Sequence, residues 1–105
     1  MITPVIFVQG TMPASSSGGP ATVFSSSTDV YLTGFKIFNS TTAFQYAEIY
    51  TFVLNATRSY ARIALSQSYS ADVLDTTLVL TSGSAILLQS TSGSVEFQID
   101  GGWKV

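Results

Sequence analysis

The chain has 105 residues and contains neither Cys nor His. That excludes a disulfide framework, a thiolate metal site and any Ser-His-Asp or Cys-His nucleophile, and it removes the usual general base. Charged residues are 10% of the chain and the net charge is −2, against about 25% charged in a typical soluble protein, and no Lys/Arg cluster is present to hold nucleic acid.

Polarity comes instead from 16 Ser and 13 Thr. Two explanations fit: an exposed sheet surface rich in Ser and Thr, or a surface largely covered by neighbouring subunits. The chain opens with "MITPVIFV", which has no basic start and is interrupted by Pro4, so it makes a poor secretion signal. Residues 2–8 read instead as a short apolar strand. Residues 9–28, "QGTMPASSSGGPATVFSSST", are rich in Ser, Gly and Pro and read as a long loop. Its apolar island, residues 21–24, is a marginal strand. A lone strand on such a tether is an arm that can pair with its own sheet or with a neighbour's. The expected division is residues 1–20 as strand and arm, and residues 21–105 as a β-sandwich domain.

"VYLTGFKIFN" reads as a strand with Tyr31, Thr33, Phe35 and Ile37 on one side, and Gly34 within it signals a bulge or a close backbone approach. "QYAEIYTFVL" is a longer strand, apolar on both faces, which suits a central position or a strand that also meets a partner. No apolar run of about 18 residues exists, because Gln45, Glu48 and Thr51 interrupt the longest one. "NATRSYARIAL" is open to a helical turn, but Ile63 and Leu65 alternate with Arg62 and Ala64, which favours a strand from about Ser59.

"TTLVLT" and "AILLQS" are shorter strands, and "SVEFQID" alternates cleanly, with Val95, Phe97 and Ile99 opposite Glu96, Gln98 and Asp100. The tetrapeptide Thr-Ser-Gly-Ser begins at Thr81 and again at Thr91, each time ahead of one of these last two strands. Turn signals about ten residues apart are the spacing of an all-β sandwich or barrel.

Candidate chemistry is sparse. Asp72 and Asp75 lie three apart, a weak cation pattern that more often initiates turns. Glu48, Glu96 and Asp100 fall on strands, and nothing brings two of them into a cleft as glycosidase chemistry needs. The serines stand in no G-x-S-x-G or S-x-x-K pattern, and no phosphate-binding loop occurs. Asn39 and Asn55 begin Asn-x-Thr triplets that read as chance matches in a Thr-rich chain. The tyrosines and Trp103 can stack on sugars or anchor an interface. The expectation is no enzyme, no cofactor, no metal, no nucleic acid and no membrane. The candidate interface residues are Ile2, Val5, Phe7, Tyr50, Phe52 and Trp103.

"VYLTGFKIFNSTTAFQYAEIYTFV" and "LDTTLVLTSGSAILLQSTSGSVEFQIDG" together resemble the two halves of small all-β virion proteins of tailed bacteriophages. Gly83-Ser84 departs from the Gly-Asp common there, which removes an Asp from that turn. The resemblance spans residues 29–102 and rests on strand and turn residues. It implies an antiparallel β-sandwich, jelly-roll-like, of about seven to nine strands. It also implies a structural role: a capsid decoration (cement) protein that stabilises the head shell. The alternatives are a tail or fibre component, or a receptor- or carbohydrate-binding module. The implied partners are copies of itself, with a trimer plausible, and the major capsid protein or other virion proteins. The implied location is the virion, after synthesis in the host cytoplasm.

Overall fold

The computed structural model describes residues 5–14, 19–74, 77–91 and 95–102. Among these residues nine strands follow in chain order: β1 (Val5–Thr11), β2 (Ala21–Ser25), β3 (Val30–Asn39), β4 (Gln45–Val53), β5 (Ala56–Leu65), β6 (Ser70–Asp72), β7 (Leu78–Leu80), β8 (Ala85–Ser90) and β9 (Val95–Gly102). No helix occurs among the described residues. The strands form two antiparallel sheets, one ordered β1-β9-β3-β6 with β7 also on β3, the other β2-β8-β4-β5.

β6 pairs with Lys36–Phe38 and β7 with Val30–Leu32, so the two occupy one strand position beside β3, broken in the middle. Counted that way, each sheet has four positions and the chain crosses repeatedly between them. The terminal strands β1 and β9 lie side by side. This is the jelly-roll order, two nested Greek keys.

Alternation builds the core. Val30, Leu32, Phe35 and Ile37 of β3 face Ala47 and Ile49 of β4, Leu65 of β5 and Ile86 and Leu88 of β8, with Val95, Phe97 and Ile99 of β9 beside them. Single-period alternation along β3 places Tyr31 and Thr33 with Phe35 and Ile37. The structure corrects this. A bulge between Leu32 and Gly34 inserts one residue, so Val30 and Leu32 point inward before it and Phe35 and Ile37 after it. Gly34 sits in that bulge, where an added Cβ would lie 3.0 Å from Asp100 Oδ2.

Of the two pairings open to the N-terminal strand, this chain adopts the one with its own sheet. β1 runs antiparallel to β9 from Val5↔Gly101 to Thr11↔Glu96. Met12, just beyond it, is fully buried, its N–H donating to the Val95 carbonyl at 2.8 Å. Phe7 stacks on Phe24 of β2, ring centroids 4.9 Å apart, and closes the gap between the sheets at this edge.

The first Thr-Ser-Gly-Ser is a tight turn. Ser84 N–H donates to the Thr81 carbonyl at 3.0 Å, and Gly83 has φ +83°, the position that a type II turn reserves for Gly. The carboxylate absent from this turn's own sequence arrives from another loop: Asp29 Oδ1 accepts the Ser82 N–H at 2.8 Å. The second copy falls largely outside the described residues.

Candidate functional site

The outer face of the second sheet is aromatic, and several of its polar side chains bond to one another. Phe44, Tyr46, Glu48, Tyr50 and Phe52 project alternately from β4 and its approach. Phe44 and Tyr46 meet edge-on at 4.9 Å. The Arg62 guanidinium of β5 lies 3.9 Å from the Tyr46 ring centre and 3.8 Å from the Glu48 carboxylate. Glu48 also accepts from Gln89 Nε2 at 2.8 Å and from the Tyr50 hydroxyl at 3.4 Å. Gln89 is 8% exposed, and its Oε1 is buried without a hydrogen-bond partner among the described residues, since the amide is turned to give its N–H to Glu48. Glu48 is thus the hub of a self-contained polar cluster, and its donors are side chains of the same face.

The outer face of the first sheet is built differently. Bulges on β1, between Ile6 and Val8, and on β3, between Leu32 and Gly34, flank the same end of β9, and bulges bend the strands that carry them. Below that level the face holds a cavity of about 580 Å³. One cross-strand row lining it is Gln9, Gln98 and Lys36; the next is Thr11, Glu96, Phe38 and Ser70. Phe38 is 39% exposed. Among the described residues, the side chains of Gln9, Thr11, Lys36, Ser70 and Glu96 make no hydrogen bond or ion pair, whereas Gln98 donates to Asp100 at 2.9 Å. A smaller cavity of about 290 Å³, lined by Val5, Ile6, Thr33 and Asp100, continues the face toward the bulges.

The predicted interface residues do not form one surface. Val5 and Phe7 lie on β1 in the first sheet, Tyr50 and Phe52 on β4 in the second. Phe7 is spent largely within the chain, against Phe24 and the core. Val5 is exposed, and Tyr50 and Phe52 are half-buried. Ile2 and Trp103 lie outside the described residues, as does Asp75. Asp72 stands on β6 opposite Lys36, and no group of three or more acidic ligands occurs among the described residues.

Sequence reasoning missed the exposed apolar residues at the limits of the sandwich. Ile6 is 57% exposed on β1, and Val79 is exposed on β7, at the opposite edge of the same sheet. Phe44 is 53% exposed at one end of β4, and Leu54 is 94% exposed at the other. Leu54 and Asn55 form the two-residue β4–β5 turn with φ of +53° and +62°. Only hairpin register reveals that geometry, since an Asn-Gly signal is absent.

No family model, curated protein or solved structure matches the chain.

Proposed function

We propose that the chain is a structural virion protein of a tailed bacteriophage, a capsid decoration protein that binds many equivalent positions on the head shell and makes it harder to break. The observation that carries this reading is the placement of exposed apolar side chains. Val5 and Ile6 mark one edge of the first sheet and Val79 the other; Phe44 and Leu54 mark the two ends of β4. A module that bridges neighbours needs contacts at opposite limits, whereas a free binder concentrates them at one end.

Sparse charge supports the same reading, because a free monomer usually covers itself with charge. Each junction contributes roughly 25 cal/mol per Å² of apolar surface buried, and repetition over a shell multiplies the effect. A protein that binds assembled shell in preference to dispersed subunits stabilises the shell by mass action. Heads assembled without the protein are therefore expected to rupture at lower temperature and under milder osmotic shock, and adding the pure protein restores resistance. Equal robustness with and without it, together with labelled protein at tail or fibre tips, replaces this reading with a fibre role.

A further inference from the structure

We infer that the outer face of the first sheet is a binding groove for a neutral oligosaccharide, lined by residues other than the exposed apolar side chains assigned to assembly. The two outer faces differ in how their polar groups are used. On the second sheet Arg62, Gln89 and Tyr50 all converge on Glu48. On the first sheet Gln9, Lys36 and Glu96 line a cavity of about 580 Å³, and their side chains make no hydrogen bond or ion pair among the described residues; the volume is within the range of about 300–1,000 Å³ typical of ligand sites.

The lining matches one ligand chemistry. Lys36 only donates, ionised Glu96 only accepts, and the Gln9 and Gln98 amides do both. Sugar hydroxyls, which donate and accept, answer all three kinds. Gln9 and Gln98 face each other across β1 and β9, and Lys36 follows on β3, so the polar groups repeat about every 5 Å across the sheet. Phe38 supplies the apolar element. Its exposed ring stands opposite Glu96 in the adjacent row, and the negative face of an aromatic ring attracts the C–H face of a pyranose.

Charge argues against a polyanion. Among the described residues, Lys36 is the one cation beside Asp72, Glu96 and Asp100 on this face. An extended peptide would add to a strand edge, where free backbone groups lie, and not to the middle of a sheet face.

The test uses the full chain on an array of neutral and sialylated oligosaccharides, followed by calorimetric titration with the brightest neutral one. Saturable binding is expected, weakened about tenfold by Phe38→Ala and measurably by Lys36→Ala and by Gln98→Ala, each with an unchanged thermal midpoint. Tyr46→Ala, on the opposite face, leaves affinity unchanged. The inference is overturned if no neutral glycan binds, if only sialylated glycans bind, or if Tyr46→Ala abolishes binding while Phe38→Ala does not. Because Phe38, Lys36 and Gln98 are not among the apolar side chains assigned to assembly, the titration reads out independently of any effect on shells.

Discussion

Asn39 shows how much one buried side chain can organise. It is fully buried at the end of β3. Its Nδ2 donates to the carbonyls of Ala43 (2.8 Å), Leu65 (3.2 Å) and Ser66 (3.0 Å). Its Oδ1 accepts the Thr41 N–H and hydroxyl at 3.0 and 2.6 Å. One amide thereby ties the crossing from β3 to β4 to the end of β5, and it is sealed from any glycosylating enzyme. Asn39→Ala strands those backbone groups and is expected to lower stability by about 3 kcal/mol, read as a shift in the urea midpoint. A shift under half of that would mean water replaces the amide. Gly101 is constrained by contact instead. A Cβ there would collide with the Tyr31 carbonyl oxygen and sit 2.8 Å from Phe7 Cε2, so Gly101→Ala is expected to cost up to about 3 kcal/mol. Leu54 is the opposite case, a residue the fold does not benefit from. A left-handed conformation costs a branched residue about 1–2 kcal/mol, and its side chain is 94% exposed. Leu54→Asn is expected to raise the thermal midpoint and to weaken shell binding. If binding is unaffected, the hairpin tip has no part in assembly.

At the scale of elements, β1 is the strand whose status decides most. It holds one edge of β9, its Phe7 packs on Phe24, and Met12 beyond it is core. Deleting residues 1–11 exposes the β9 backbone and uncovers Phe24. The loss is expected to be about 3 kcal/mol or more, from the aromatic and aliphatic area returned to water. The shortened chain is also expected to self-associate through the bare edge. Light scattering and a melting curve check both. An unchanged melt and a monomeric species would make the strand a dispensable arm. The opposite edge is managed by shortness, since β6 and β7 are three residues each and neither offers a long run of unpaired groups.

For the molecule as a whole, the scarcity of charge bears on the kind of association that the proposed function requires. Under the proposed function, contacts made through Ile6, Val79, Phe44 and Leu54 would be apolar, and apolar burial is not screened by salt. Shell binding is therefore expected to persist, or strengthen, between low and about 1 M ionic strength, where the Debye length falls to about 3 Å. Release of the protein by salt alone would show that the few charged residues, Arg58 and Arg62 on β5 among them, carry the interface instead.

Strand content was legible in the residues themselves. Period-2 alternation located β9 because one face of it must meet the core, short runs rich in apolar residues marked β3 and β8 as strands, and the Ser-Gly-Ser turn ahead of β8 was legible because Gly alone takes its positive φ without strain. Gly34 announced the β3 bulge, but not that the bulge would turn Tyr31 and Thr33 away from the core, since that depends on pairing with β9. β6 was not foreseen: three residues carry too little periodicity, and only β3 makes them a strand. The lining of the groove is likewise tertiary. Gln9, Lys36 and Gln98 are 27 and 62 residues apart in the chain, and only the order β1-β9-β3 sets them in one row. Local sequence determines which way a strand's side chains alternate. Which strand lies beside it is decided by closure of the two sheets, because backbone hydrogen bonds pair any two strands alike and only the packed core selects among them.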